Sequence, residues 1–201
     1  MGIRLVDALT ALKDVRRDDE IVITTMAPAR DWMALANGKL HPLDMVLVPS
    51  AMGQATSMGL GLALAQPKRR IIVVNGDGSM LMNLGSLVSI TAAGPSNLSV
   101  IVCDNGVYEV TGAQPTPASP RGRRDGGAVN FVELARACGF PSVYSFADAA
   151  TWRDRAREVI DATGPTFALL DVDPAPGIPG PRSPGPAGER SRRFMEALER
   201  N

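Results

Sequence analysis

The chain has 201 residues, of which 45% are apolar and 21% charged, and its formal net charge is zero. This is the composition of one folded domain with a core of its own, not of a disordered chain, and the balanced charge gives no general attraction for nucleic acid or an anionic membrane. Cys103 and Cys138 stand far apart with no C-x-x-C pattern, which excludes a disulfide scaffold or zinc site and leads us to expect core thiols in a reducing cytoplasm. No apolar run reaches the length of a membrane span.

In chain order, Ile3–Leu12 carries apolar residues at helical spacing and predicts a short amphipathic helix. Ile21–Thr25 predicts a buried strand, and Met26-Ala27-Pro28-Ala29 turns the chain into a helix over Arg30–Asn37 that stops at Gly38. His41, the only histidine, falls in a loop and reads as a surface residue. The next strand is Met45–Val48, followed by a helix over Gln54–Ala65 rich in small residues. Glycines inside a helix cost stability, so those of this helix predict close approach of another backbone or a ligand. Gly59-Leu60-Gly61 lacks the third glycine and the preceding strand of a dinucleotide fingerprint. Strands over Ile71–Val74 and Leu98–Cys103 flank a helix over Met80–Ala93.

Beyond them, Gln114–Val129 is a surface loop rich in proline, glycine and arginine, of a length usually tied to function. Arg121, Arg123 and Arg124 read as solvated loop charges. A helix over Phe131–Cys138, a strand over Ser142–Phe146, a helix over Ala149–Ala162 and a strand over Thr166–Val172 complete the pattern. Strands alternating with helices predict an α/β fold, a doubly wound, mainly parallel six-stranded sheet with helices on both faces. We expect residues 1–172 to form this domain and residues 173–201 to be a Pro/Gly-rich extended segment with a terminal helix over Glu189–Arg200. That helix is either a solvated tail or, through Phe194, Met195 and Leu198, docked on the domain.

The chemistry concentrates between Ile71 and Gly112. Two short β-branched runs end abruptly, the first in Asn75-Gly76-Asp77-Gly78-Ser79 and the second in Asp104-Asn105-Gly106. Runs of this kind are strands buried on both faces of a parallel sheet, and ligands bind at the carboxyl ends of such strands. A carboxylate and a carboxamide oxygen at neighbouring strand ends are hard ligands for Mg²⁺ or Ca²⁺. The backbone N–H groups of Gly78 and Ser79, at a helix start, suit a phosphate. Together they point to a diphosphate held through a divalent ion.

Gly76-Asp77-Gly78-Ser79, closed by Asn105 at the next strand end, resembles the thiamine-diphosphate signature, with Asp104 standing where the family usually has a first asparagine. Ser50-Ala51-Met52-Gly53 resembles the segment that bears the large apolar residue under that cofactor. The resemblance implies the diphosphate-binding (PP) domain of a thiamine-diphosphate (ThDP) enzyme. It implies metal ligation by Asp77, Asn105 and the Val107 carbonyl, and cofactor contacts from Gly76, Gly78, Ser79, Asn105, Val107 and Tyr108. Met52 would support the bent cofactor, Ser50 would offer its carbonyl to the pyrimidine amino group, and Thr25 would touch the cofactor. After Thr25 the family's usual glycine is Met26.

The resemblance is closest to the β subunit of sulfopyruvate decarboxylase and the C-terminal half of phosphonopyruvate decarboxylase, through GDGSMLMNLGSLVSI, DNGVYEVTGAQPTP and SMGLGLALA. It implies decarboxylation of a small anionic 2-oxo acid, with Arg30 a candidate for holding the second anionic group. Glu109, Thr111 and Gln114 are candidates to face the substrate. No pyrimidine-binding domain is present, so the activating glutamate is expected on a second subunit, in an α₂β₂ or larger complex. Alternatives are a carboligase of the acetolactate-synthase type and a non-catalytic ThDP-binding subunit. The lack of a cysteine cluster argues against a ferredoxin-linked oxidoreductase.

Overall fold

The computed structural model describes residues 2–47, 51–174, 176 and 183–199. Val48 and Ser50 therefore lie outside the described residues. The elements run α1 (Leu5–Val15), β1 (Ile21–Thr25), α2 (Met26–Leu35), β2 (Asp44–Leu47), α3 (Ala55–Ala65), β3 (Ile71–Gly76), α4 (Asp77–Leu81), α5 (Gly85–Ala93) and β4 (Leu98–Asp104). A short hairpin of β5 (Val107–Tyr108) and β6 (Gln114–Pro115) follows. Then come α6 (Phe131–Ala137), β7 (Ser142–Phe146), α7 (Ala149–Asp161), β8 (Thr166–Asp171) and α8 (Ala187–Glu199).

The six longer strands form one parallel sheet in the order β2-β1-β3-β4-β8-β7. Successive residues of each strand point to opposite faces, and both faces are covered. Val22, Ile72, Ile101 and Ala168 meet α1, α2 and α7 through Leu9, Trp32 and Trp152. Ile23, Val73, Val100 and Phe167 meet α3, α5 and α6 through Ala55, Ile90 and Phe131. Phe194 of α8 joins the second core, so the terminal helix docks on the domain.

Most element ends shift by a few residues from expectation, and two of the differences shape the site. The helix expected to begin near Arg30 starts at Met26, whose φ of +59° lies in the left-handed region. A side chain there costs roughly 1–2 kcal/mol, which is why glycine suits this position. The single helix expected over Met80–Ala93 is two, because Asn83 interrupts it. Its side-chain amide donates to the Gly53 carbonyl and to Ser57 Oγ, each at 3.2 Å. Its own carbonyl accepts the Ser86 hydroxyl at 2.7 Å.

The glycines of α3 divide. A Cβ on Gly59 would lie 2.4 Å from Val73 Cγ2, so this glycine lets α3 press onto β3, whereas a Cβ on Gly61 would meet nothing within 4 Å. The chain moves from β1 outward to β2, then crosses back over β1 to β3. That reversal opens a crevice at the carboxyl ends of β1, β3 and β4.

Candidate functional site

The crevice is a pocket whose wall includes Met26, Met52, Gly76, Asp77, Gly78, Ser79, Met82, Asn105, Val107, Tyr108, Glu109 and Thr111. β3 ends at Gly76, and α4 begins at once with Asp77, which is almost fully buried. Thr116, also fully buried, donates its hydroxyl to Asp77 Oδ2 at 3.2 Å. The backbone N–H groups of Gly78 and Asn105 donate to the same carboxylate. Even so, burial and the neighbouring charge of Asp104 push the Asp77 carboxyl up to about 7. Burial also raises Asp104. Burial and like charge thus make it costly to ionise both carboxyls. A divalent cation neutralises such a pair directly.

The loop after β4 brings the amide into the same space. Asn105 Oδ1 accepts the Val107 N–H at 3.0 Å, and Asn105 Nδ2 donates to Glu109 Oε1 at 2.7 Å. Glu109 Oε2 lies 3.6 Å from the Arg30 guanidinium. Burial raises the Glu109 carboxyl, while Arg30 and the Asn105 amide oppose the shift. Among the described residues no group of three or more histidine, cysteine or acidic side chains converges. A metal beside Asp77 would therefore draw its other ligands from amide and main-chain oxygens and from the oxygens of its own ligand, as hard cations accept.

The β5–β6 hairpin folds over the start of α4. The Thr116 N–H donates to the Gly106 carbonyl at 2.9 Å, closing the loop. A Cβ on Gly78 would lie 2.5 Å and 2.6 Å from Tyr108 Cε1 and Cδ1, so only glycine lets the tyrosine ring lie against this turn. Across the crevice, the Gly53 N–H donates to Ser79 Oγ at 3.1 Å, and the Ala51 N–H to Thr25 Oγ1 at 3.3 Å. Met52, with φ +46°, is exposed on the pocket wall. Two non-glycine residues in left-handed conformation, Met26 and Met52, thus border one pocket, a clustering of strain that marks functional sites.

Comparison with known proteins agrees with this geometry. Residues 29–172 match the family model described as thiamine pyrophosphate enzyme, C-terminal TPP binding domain. The chain belongs to the thiamine pyrophosphate enzymes. It is 33% identical to sulfopyruvate decarboxylase subunit beta of Methanothermobacter thermautotrophicus, over 87% of this chain and 84% of that one. It is 35% identical to phosphonopyruvate decarboxylase of Streptomyces viridochromogenes, over 92% of this chain and 44% of that protein. The chain thus spans less than half the length of that relative. A solved Mycobacterium smegmatis structure, described as a thiamin diphosphate-dependent enzyme, shares the fold with a TM-score of 0.68 at 15% identity, over 87% of this chain and 32% of that one.

Among the thiamine pyrophosphate enzyme residues expected from sequence, the structure gathers Met52, Gly76, Asp77, Gly78, Ser79, Asn105, Val107, Tyr108, Glu109 and Thr111 on one pocket. Thr25 is fully buried at the end of β1, behind that wall. Ser50 lies outside the described residues. Gln114 is not on the wall: its amide donates to the Thr111 carbonyl and its oxygen accepts the Thr111 hydroxyl, both at 2.7 Å. Arg30 lines a neighbouring cleft with Glu109, Gly112 and Pro174. His41 sits at the other end of the sheet, before β2, beside Arg16 at 3.0 Å. Sequence reasoning missed Thr116, which reaches Asp77 across the chain, and did not place Asp104 as the partner in charge. An acid in place of the usual asparagine was the available signal for Asp104. Thr116 had none.

No described helix is long and apolar enough to cross a membrane.

Proposed function

We propose that this chain is the diphosphate-binding subunit of a two-chain ThDP-dependent decarboxylase acting on a small 2-oxo acid with a second anionic group, of the sulfopyruvate or phosphonopyruvate kind. The observation that carries the reading is the buried Asp77 beside the half-buried Asp104 at the strand ends, next to the Asn105 amide. The similarity to a protein named subunit beta, over 84% of that protein, supports a second chain. In this reading Mg²⁺ would be held by Asp77, by Asn105 and by the Val107 carbonyl, and the diphosphate by Gly76, Gly78, Ser79 and Tyr108. Bound ThDP supplies an electron sink for the carbanion left when CO₂ departs.

The remaining work falls to this chain's own groups. With a cation bound, Asp77 would be held as the carboxylate, because the positive charge would offset the effect of Asp104. Thr116 keeps the Asp77 carboxylate oriented, and Glu109 holds the Asn105 amide by its Nδ2 so that Oδ1 faces the loop. Met52 and Met82 present apolar wall, which excludes water from the reacting end. Arg30, half-exposed and ion-paired with Glu109 in the neighbouring cleft, would hold the second anionic group from beside the pocket. The second chain, in an α₂β₂ or larger assembly, supplies the activating glutamate. The two free cysteines suit a cytoplasmic setting.

The test is reconstitution. The purified chain with ThDP and Mg²⁺ is expected to release no CO₂ from sulfopyruvate or phosphonopyruvate, and to do so once the polypeptide encoded beside it is added. Turnover by the chain alone overturns the two-chain reading. Condensation to a hydroxyketone in place of aldehyde release overturns the decarboxylase reading.

A further inference from the structure

A second cleft lies away from the cofactor pocket, between the loop before β2 and α8. Its volume is about 550 Å³, in the range of small-molecule sites. The pocket around Asp77 stands at the carboxyl ends of the parallel strands, whereas His41 and Asp44 stand at the amino end of β2. None of the residues on this cleft takes part in the proposed decarboxylation.

The charges on its wall are unequal. Lys39, Arg190 and Arg193 face Asp44 and Glu196. Asp44 is already occupied by donors of the chain itself: Arg16 at 2.6 Å, Trp32 Nε1 at 3.1 Å and the His41 N–H at 3.0 Å. Lys39 and Arg193 make no ion pair among the described residues. The cleft therefore presents positive charge that the chain does not neutralise.

Two of its donors are set in place by the fold. His41 Nδ1 lies 3.0 Å from the Arg16 guanidinium and accepts the Leu43 N–H at 3.2 Å. A guanidinium can only donate, so Nδ1 is an acceptor and the ring proton sits on Nε2. Burial and the Arg16 charge lower the His41 pKa from its usual value, which keeps the ring in this neutral form at pH 7. Its Nε2–H has no acceptor among the described residues. Arg190 is anchored by Nη1, which donates to the Val46 carbonyl at 2.6 Å, while its Nε is buried without a partner. A buried donor of this kind normally meets a bound water or ion. Leu40, Pro42 and Ala197 add apolar wall between these groups, which a bare inorganic anion would not need.

We propose that this cleft binds a small organic phosphate, its dianion held by Lys39, Arg190, Arg193 and His41 Nε2–H and its organic body resting on Leu40 and Ala197. A phosphate offers three acceptor oxygens, enough to answer several donors at once. The bound ester would tie α8 to the loop before β2. The site is separate from the cofactor pocket and does not depend on the decarboxylase reading.

The test is calorimetry on the full chain at fixed ionic strength, in chelator, with glycerol 3-phosphate, AMP and inorganic phosphate as probes. At least one ester is expected to bind with a Kd below about 1 mM, and more tightly than inorganic phosphate. Lys39→Glu and Arg193→Glu, both at exposed positions, are expected to weaken it by tenfold or more. Arg153→Glu, on α7, changes the net charge equally and is expected to bind like wild type. His41 is the only histidine, so its imidazole signals in a nuclear magnetic resonance spectrum report the cleft directly and are expected to shift as the ester saturates. No ester binding below about 1 mM, or unmoved His41 signals at saturation, overturns the proposal. So does inorganic phosphate binding as tightly as both esters, or equal weakening by Arg153→Glu. Ester binding with a failed reconstitution assay would refute only the catalytic reading.

Discussion

In the proposed function the Asp77 proton and a metal ion would compete for the same place, and replacing Asp77 by asparagine separates the two. In the metal-free protein the carboxyl is held up at about 7, against an ordinary 3.8, by burial and by Asp104. Well below pH 3.8, folded and unfolded chains both keep the proton and stability is unaffected. As pH rises toward 7 the unfolded chain releases its proton first, so it binds fewer protons than the native state and stability falls with pH. A displacement of roughly three units, at about 1.4 kcal/mol per unit, sets an upper bound of about 4 kcal/mol. Asparagine escapes this penalty but loses acceptor capacity toward the Gly78 and Asn105 N–H groups. The expected net gain for metal-free Asp77→Asn at pH 8 is therefore about 1–3 kcal/mol, or roughly 2–10 °C in Tm for a domain of this size. At pH 3, below both values, the gain is expected to vanish. With Mg²⁺ and ThDP the order reverses. Wild type is expected to gain about 2.7 kcal/mol at a hundredfold excess over Kd, and the variant nothing. Thermal melts in chelator at the two pH values, repeated with Mg²⁺–ThDP, measure all four states. Parallel pH curves for the two proteins, or cofactor-dependent stabilisation retained by Asp77→Asn, would refute the reasoning.

Two packing predictions complement it. Gly78→Ala would put a Cβ 2.5 Å from the Tyr108 ring. The ring can yield only into the pocket, so ThDP affinity measured by calorimetry should fall about tenfold or more while the fold loses at most about 1–3 kcal/mol. Adding Tyr108→Ala should recover part of the loss, and unchanged affinity in Gly78→Ala would remove Tyr108 from the cofactor wall. Gly59→Ala, with its Cβ 2.4 Å from Val73 Cγ2, should cost about 1–3 kcal/mol in chemical unfolding, after a gain of up to about 1 kcal/mol in helix propensity is set against it. Val73→Ala in the same chain should relieve the clash, giving a double-mutant coupling of 0.5 kcal/mol or more in magnitude. Simple additivity would mean that α3 does not press on β3.

What the sequence determined by itself was local. Ile21–Thr25 is a strand at the expected residues because a short β-branched run carries its burial in its own composition. Asp77 and Asn105 were legible as a site because each follows such a run, and parallel strands present their carboxyl ends together. The break at Asn83 was not legible, since nothing in the local pattern says that its amide will reach Gly53. Nor was the early start of α2 at Met26, which requires a left-handed conformation that methionine seldom adopts. Only the tertiary structure decided what surrounds Asp77. The crossovers set β4 beside β3 and thereby place Asp104 near Asp77, where its charge adds to burial in raising the Asp77 carboxyl. The β5–β6 hairpin returns Thr116 to Asp77 from 39 residues away, and the fold of α2 aims Arg30 at Glu109. Chain pattern encodes which residues leave water and with what period. Which charges then meet depends on strand order and loop closure, which no short window of sequence contains.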